Sequence, residues 1–173
     1  MGVPAIEQFV FRYGFFMQLS KFLLTCGLPG SGKSTIARKL AERHGYEVVC
    51  PDAFRLALNG GAYPSGDRYA TLEPVVWSLV EKAVRLFLRR SDGVILDATN
   101  LSQIGRDKWV AIARQEVPDI YPLVIYCKQN FDSPQRWLSE RGIKELEYYR
   151  IRATLESRLE VPTGAQVLLG ETL

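Results

Sequence analysis

The chain has 173 residues, of which 47% are hydrophobic and 24% are charged, and its formal net charge is +3. These values are typical of a single globular domain with a substantial core, and they exclude an intrinsically disordered chain. The mild positive charge allows a nucleic-acid partner without requiring one, because nucleotide phosphates also attract local basic residues.

The N-terminal segment is rich in aromatic residues, with the sequence FVFRYGFF over residues 9–16. It is too short to span a bilayer, which needs about 20 apolar residues, and it lacks the pattern of a secretory signal. We therefore expect residues 1–16 to be an extension before a native start at Met17, and residues 17–173 to form the domain. We expect no membrane partner. The cysteines have neither disulfide-framework nor zinc-ligand spacing, which favours a cytoplasmic location.

A glycine-rich turn follows the apolar run FLLTC of residues 22–26 and precedes a helical pattern. The spacing Gly27-x-x-x-x-Gly32-Lys33-Ser34 is that of a phosphate-binding loop. Glycines let the backbone turn its N–H groups toward an anion, and the helix that begins near Lys33 adds the positive end of its dipole. Lys33 is predicted to contact the β- and γ-phosphates of a nucleoside triphosphate, and the Ser34 hydroxyl to ligate Mg²⁺. The predicted nucleotide-binding residues are Gly27, Gly30, Ser31, Gly32, Lys33, Ser34 and Thr35.

A second candidate group follows the short β-rich run of residues 46–50. Asp52 is predicted at the N-cap of a helix that extends to Leu58, and Arg55 lies one turn further along it. Beside a bound triphosphate, the Asp52 carboxylate can accept a proton from an attacking hydroxyl. Arg55 can bind an acceptor phosphate through two hydrogen bonds. The alternative is a plain N-cap beside a solvated ion pair, and the phosphate-binding loop favours the functional interpretation.

The rest of the chain predicts a regular alternation of helices and strands. A long helix from about Tyr69 to Arg90 follows a loop over residues 59–66. Its predicted inner side consists of Val75, Val76, Leu79, Val80, Ala83, Leu86 and Phe87. The later predictions are a strand over 93–97, a helix over 103–116, a strand over 121–127, helices over 133–140 and 145–159, and a strand over 166–169. This order predicts a three-layer α/β fold, with a mostly parallel sheet of about five strands between helices.

A carboxylate ends the third predicted strand, in the sequence GVILD. Ligands bind at the carboxyl ends of the strands in a parallel sheet, so Asp97, Asp52 and the phosphate-binding loop are predicted to share one edge. Asp97 is then expected to help hold Mg²⁺, and the alternative is a strand-end aspartate that caps a turn. Thr99 and Asn100 follow directly, and their side chains can order this turn or reach phosphates.

Three stretches together carry a resemblance to a known family. GLPGSGKST at 27–35, DAFR at 52–55 and VILDATN at 94–100 resemble the 5′-polynucleotide kinase branch of the AAA-type P-loop ATP-binding proteins, a group that also contains zeta-toxin-like kinases. The similarity runs from about residue 21 to 160. It implies a P-loop kinase fold, ATP as the phosphate donor with Mg²⁺, and a lid near residues 141–150.

The resemblance also implies roles for individual residues. Asp52 corresponds to the general base of the family, and Arg55 to the arginine that binds the phosphate of the acceptor. Thr99 and Asn100 fall in the motif that follows the third strand. Arg141, in the sequence WLSERG, is the closest match to the lid arginine that stabilises the transferring phosphoryl group.

Three functions stay open at this point. The first is an ATP-dependent kinase of 5′-hydroxyl ends of nucleic acid, which the combination of D-x-x-R with DATN favours. The second is a kinase of a small metabolite, nucleoside or antibiotic, which the mild charge and single domain favour. The third is a nucleotide-binding regulatory module without transfer to an acceptor, although such a module has no use for Asp52 and Arg55.

Overall fold

The structure is a computed structural model, and it describes residues 20–128, 138–139, 141–163 and 167–170. The extension predicted over residues 1–16 and the predicted native start at Met17 lie outside the described residues. So does most of the helix predicted over 133–140.

The described residues form strands and helices that alternate along the chain. The strands are β1 (Phe22–Cys26), β2 (Glu47–Val49), β3 (Val94–Leu96), β4 (Leu123–Cys127) and β5 (Val167–Gly170). The helices are α1 (Lys33–His44), α2 (Pro51–Leu58), α3 (Gly66–Arg90), α4 (Gln103–Glu116) and α5 (Glu145–Glu156). Within the part of the chain that the structure describes, no helix has the length and apolarity of a membrane span.

The strands form one sheet in the order β2-β3-β1-β4-β5, and each neighbouring pair is parallel. The central strand β1 is buried along its whole length, as expected of a parallel strand that is covered on both faces. Because all strands run in the same direction, the chain segments that follow β1, β2 and β3 emerge at the same edge. The predicted α/β fold with a parallel sheet between helices is confirmed.

Successive side chains of β1 enter two separate apolar cores. Leu23 packs on the face that α1 covers, together with Ala37 and Leu40. Phe22 and Leu24 point to the opposite face, which α3 and α4 cover. The alternation follows from the pleat of the strand, which directs neighbouring side chains to opposite sides. The sheet and its two helical layers thus hold the ends of β1 and β3 rigidly at the candidate site.

Helix α3 differs from its prediction in two ways. It begins at Gly66, three residues earlier than predicted, and its buried residues recur every four positions: Leu72, Val76, Val80, Val84 and Leu88. Val75 and Leu86, predicted on the inner side, are 47% and 43% exposed. That prediction was wrong, because apolar character alone does not reveal which stripe of a long helix faces the sheet.

Candidate active site

The phosphate-binding loop joins β1 to α1 through glycines that have positive φ angles. Gly27, Gly30 and Gly32 have φ angles of +148°, +79° and +83°, which side-chain-bearing residues rarely adopt. A Cβ atom on Gly27 would lie 2.5 Å from the carbonyl oxygen of Cys127. Gly32 caps α1 without a side-chain acceptor, so the first N–H groups of the helix have no side-chain cap. This loop has the backbone shape and the free helix N-terminus that an anion requires.

Lys33 lies inside this loop and is only 9% exposed. Its Nζ atom donates a hydrogen bond to the carbonyl oxygen of Leu28 at 2.7 Å, and Ser31 Oγ lies at 3.5 Å. Burial lowers the pKa of Lys33, and the negative charge of Asp97 opposes this effect. A buried ammonium group among neutral oxygens is costly unless it meets an anion. The environment of Lys33 therefore fits a bound phosphate.

The hydroxyl side chains of the loop differ in exposure. Ser31 is buried, whereas Ser34 and Thr35 are exposed in the first turn of α1. An exposed hydroxyl at Ser34 fits the predicted role as a ligand of Mg²⁺, which takes oxygen ligands. The loop thus combines a buried cation with accessible hydroxyls.

The end of β3 is fastened to the end of β1 through Thr25, a residue that sequence reasoning missed. Thr25 Oγ1 donates to the carbonyl oxygen of Ala98 at 2.9 Å and lies 3.4 Å from Asp97 Oδ1. Asn100 Nδ2 donates to the carbonyl oxygen of Thr25 at 2.8 Å. The carbonyl oxygen of Thr99 accepts a hydrogen bond from the Gly27 amide at 3.0 Å. In this structure Thr99 and Asn100 thus order the turn against the phosphate-binding loop, and Asp97 is 6% exposed beside it.

A buried arginine stabilises the same turn through hydrogen bonds to its carbonyl oxygens. Arg106 is 2% exposed, and its guanidinium donates to the carbonyl oxygens of Asn100 and Leu101 at 2.9 and 2.8 Å. It also donates to the carbonyl oxygen of Glu160 at 2.9 Å. Sequence reasoning missed Arg106, since nothing local distinguishes it from the exposed arginines. Its contacts tie the turn after Asp97 to the chain that follows α5.

Helix α5 packs directly on the phosphate-binding loop. Tyr148 is completely buried, and its hydroxyl donates to the carbonyl oxygen of Pro29 at 3.4 Å. The predicted lid segment near residues 141–150 overlaps the start of α5. Its buried tyrosine contacts the phosphate-binding loop.

Asp52 follows β2, but it does not cap α2. The N-cap is Cys50 and the helix begins at Pro51, so Asp52 is the second helical residue and forms no capping hydrogen bond. The predicted N-cap role was wrong, because Pro51 occupies the first helical position, which proline favours. The carboxylate is therefore free to pair with side chains above the sheet edge.

The Asp52 carboxylate meets two arginines and a tyrosine. Its Oδ1 atom accepts hydrogen bonds from Arg55 Nη1 at 2.6 Å and from the Tyr63 hydroxyl at 3.2 Å. Its Oδ2 atom pairs with Arg141 Nη2, from the lid segment. Burial alone would raise the pKa of Asp52, but the charges of Arg141 and Arg55 outweigh it and lower the pKa. Burial raises the pKa of Tyr63, which keeps its hydroxyl a donor.

Arg55 is paired on its other side with Glu73, another residue that sequence reasoning missed. Arg55 Nε lies 2.6 Å from Glu73 Oε1, and Nη2 lies 2.9 Å from Oε2. The guanidinium carbon lies 5.4 Å from the centroid of the Tyr69 ring and 5.9 Å from that of Trp77. Burial alone would lower the pKa of Arg55, but its hydrogen bonds to Glu73 raise it above the ordinary value. An acidic residue one turn before a tryptophan was the available sequence signal, and it is too common to be specific.

The predicted site residues therefore gather into two neighbouring groups at one edge of the sheet. Gly27, Lys33, Asp97, Thr99 and Asn100 surround the end of β1, while Asp52, Arg55 and Arg141 form a cluster above the end of β2. Both groups follow the ends of parallel strands of one sheet, and the negative charge of Asp52 is among those that oppose the lowering of the Lys33 pKa by burial. No cluster of three or more His, Cys, Asp or Glu side chains that could hold a metal occurs among the described residues. The donors present fit Mg²⁺, which is usually held by one or two carboxylates together with substrate phosphates.

Residues 22–158 match the sequence model of a family described as an AAA domain. The fold also resembles solved structures. A provisionally assigned kinase from Chloroflexus aurantiacus J-10-fl shares 16% identity, with a TM-score of 0.67 over 90% of this chain and 86% of that chain. Kti12 from Chaetomium thermophilum, solved with ADP-AlF3, shares 20% identity, with a TM-score of 0.61 over 87% and 88%.

A third similar chain belongs to the Pnkp1/Rnl/Hen1 RNA repair complex. It shares 24% identity, with a TM-score of 0.62 over 81% of this chain and 45% of that chain. At these identities, the likeness to all three structures is one of fold.

Proposed function

We propose that this chain, which belongs to the AAA domain family, is an ATP- and Mg²⁺-dependent kinase that transfers the γ-phosphoryl group to an alcohol. The observation that carries the proposal is the position of Asp52. Its carboxylate follows β2 at the edge of the parallel sheet where the phosphate-binding loop follows β1, and it pairs with Arg55 and Arg141. A nucleotide-binding module without an acceptor has no need for a carboxylate that two arginines orient at this place.

The proposed reaction is an in-line displacement. An acceptor oxygen forms a bond to the γ-phosphorus, the bond between the γ-phosphorus and the bridging oxygen breaks, and its electron pair leaves with ADP. The acceptor proton passes to a carboxylate oxygen of Asp52. In this proposal Lys33 and the loop amides bind the phosphates, and Arg141 would neutralise charge on the transferring group. Mg²⁺ would be held by Ser34 and Asp97, and when bound it supplies positive charge against the phosphate oxygens.

The first candidate acceptor is the 5′-hydroxyl end of a nucleic acid. The ordered combination of Asp52 and Arg55 with Asp97, Thr99 and Asn100 supports it, since this pattern resembles 5′-polynucleotide kinases. The similarity in fold to a chain of an RNA repair complex supports the same acceptor.

The second candidate acceptor is a small hydroxyl-bearing molecule. The observation that favours it is the pairing of Arg55 with Glu73 and Asp52, because carboxylates already occupy the Nε–Nη2 edge and one Nη1 donor of this arginine. A small alcohol without a phosphate group of its own does not require an arginine to bind such a phosphate.

A transfer assay with labelled ATP tests the proposal. The acceptors are a 5′-hydroxyl oligonucleotide, the same oligonucleotide with a 5′-phosphate, and a panel of nucleosides and sugars. We expect transfer to a free hydroxyl only, and we expect Lys33→Ala to abolish it without loss of folded protein. The control variant is Glu81→Gln, which changes a glutamate on α3 that pairs with Arg85 and has no proposed role in transfer. ATP hydrolysis that is equal with and without every acceptor would contradict transfer and favour a regulatory module.

A further inference from the structure

Glu73 and Asp52 hold the Arg55 guanidinium between them. The edge formed by Nε and Nη2 is occupied by the two carboxylate oxygens of Glu73, at 2.6 and 2.9 Å. The remaining nitrogen, Nη1, donates to Asp52 Oδ1 at 2.6 Å. Each of the three nitrogens thus contacts a carboxylate oxygen, and Glu73 takes the pair that forms a fork.

Glu73 is itself held in place by the helix that carries it. Trp77 lies one turn further along α3, and its Nε1 atom donates to Glu73 Oε2 at 3.0 Å. Arg55 is 7% exposed, and the rings of Tyr69 and Trp77 lie against it. The contacts therefore form a continuous series from Trp77 through Glu73 and Arg55 to Asp52.

A guanidinium whose forked edge is engaged cannot offer the same edge to a phosphate. To do so, it must first leave Glu73, which is unfavourable because the guanidinium is buried and Glu73 is only partly exposed. We infer that Glu73 is a positioning residue that holds Arg55 against Asp52, so that Arg55 orients the proposed base and its Nε–Nη2 edge is not available to the acceptor. This inference rests on the proposed function for the role of Asp52.

The groups that face Asp52 come from several elements: Arg55 from α2, Cys50 before it, Tyr63 from the next loop, Arg141 from the lid segment, and Lys33 from α1. The pKa of Asp52 therefore reports how closely its cations are held. If Glu73 holds Arg55 in place, its removal lets Arg55 leave the carboxylate, and the pKa of Asp52 rises. If Glu73 is only a nearby negative charge, its removal lowers the pKa of Asp52 further.

The experiment measures this pKa in a double-mutant cycle. The aspartate carboxyl carbons are labelled with ¹³C, and the Asp52 resonance is assigned by its loss in Asp52→Asn. The pKa is compared in the wild type, Glu73→Ala, Arg55→Ala and the double variant, with Glu73→Met as a second variant of similar volume. We expect the Asp52 pKa to rise in Glu73→Ala and Glu73→Met, and we expect no rise from Glu73→Ala once Arg55 is absent. Glu81→Gln serves as the control, because it changes a glutamate on the same helix without contact to Arg55.

A fall in the pKa after removal of Glu73, or no change, would overturn the inference. So would a rise in the Asp52 pKa in Glu73→Ala that persists without Arg55. This readout needs no turnover, so it remains decisive if every acceptor fails and the proposed function is lost.

Where a 5′-hydroxyl oligonucleotide or a nucleoside is phosphorylated, a second readout applies. Misplacement of a reacting group can cost about 10²-fold in rate. We therefore expect Arg55→Ala and Glu73→Ala to lower kcat by up to about 10²-fold while the acceptor KM stays unchanged. A rise in the acceptor KM in Arg55→Ala, without loss of kcat, would assign Arg55 to acceptor binding and refute the positioning role.

Discussion

The long helix α3 contributes residues to two clusters of arginines paired with carboxylates, and the surroundings of these clusters differ. The Glu73 cluster comprises Glu73, Arg55 and Asp52, and its central Arg55 is 7% exposed between aromatic rings. The Glu116 cluster comprises Glu81, Arg85, Arg89 and Glu116, and its contacts join α3 to α4. The Arg85 and Arg89 side chains are 25% and 61% exposed.

The comparison teaches that similar ion pairs have different consequences in different places. In the Glu73 cluster, the arginine has few alternatives to its carboxylate partners, so its geometry is well defined and can orient the proposed base. In the Glu116 cluster, the Glu116 side chain is 8% exposed but its arginine partners reach solvent, so their charges are better screened and the pairs contribute less to stability. Loss of a charge should therefore affect activity at the first cluster, and at the second it should cause only a small loss of stability that is present at neutral pH and disappears in acid.

The largest expected effect is at Asp52. General-base catalysis contributes about 10²- to 10⁴-fold, so Asp52→Asn should lower kcat by about that factor, with little loss of stability. The measurement is labelled phosphate transfer together with a thermal melt. Glu116→Gln should leave the transfer rate unchanged. Full turnover in Asp52→Asn would remove the base role and the functional difference between the clusters.

A second prediction compares the central arginines of the two clusters. Removal of one member of a buried ion pair costs about 3–5 kcal/mol. Arg55→Met should lower the free energy of unfolding by about 3 kcal/mol, the low end of this range, because the carboxylates of Asp52 and Glu73 are partly exposed. Arg85→Met should destabilise the protein much less. Urea unfolding of both variants tests this difference, and equal losses would mean that burial does not distinguish the clusters.

The pH dependence of activity should depend on Arg141. The base must be deprotonated to act, and Arg141 and Arg55 lower the pKa of Asp52 against the effect of its burial. Arg141→Gln should raise that pKa, so the acid limb of the kcat/KM profile should move to higher pH. Arg89→Gln, in the Glu116 cluster, should leave the limb in place. An unmoved limb in Arg141→Gln would mean that a group other than Asp52 controls it.

The smallest expected effect is acid-dependent stability at Glu116. Hydrogen bonds from Arg89 and Arg85 lower the pKa of Glu116 to about 2, below its ordinary value of 4.5. A lowered pKa stabilises the folded state above about pH 4.5, and this contribution is lost as the pH falls toward about 2. Glu116→Gln should therefore have a slightly lower Tm at neutral pH, and its difference from the wild type should vanish on acidification. Thermal unfolding across this pH range provides the measurement, and a difference that grows in acid would contradict it.

Much of the fold and part of the site could be predicted because they depend on local patterns. The alternation of apolar strands and helices predicted a parallel sheet, and strand ends placed the loop, Asp52 and Asp97 at one edge. Local pattern failed where several arrangements satisfy it equally. Val75 and Leu86 are apolar residues of an amphipathic helix, yet they lie outside the buried stripe. Asp52 is suited to an N-cap by residue type, but the helix begins one residue before it, at Pro51.

By itself, the sequence determined the phosphate-binding loop, since the conformation of Gly27 to Ser34 depends on glycines and on the helix that follows directly. Only the tertiary structure decided the partners of Asp52. Glu73 is 18 residues from Arg55, and Arg141 is 89 residues from Asp52. Such contacts depend on how α3 and the lid segment cross the sheet edge, and charge on a surface helix has many available partners. The physical reason is that backbone conformation is set by neighbours in the chain, whereas ion pairing is set by neighbours in space.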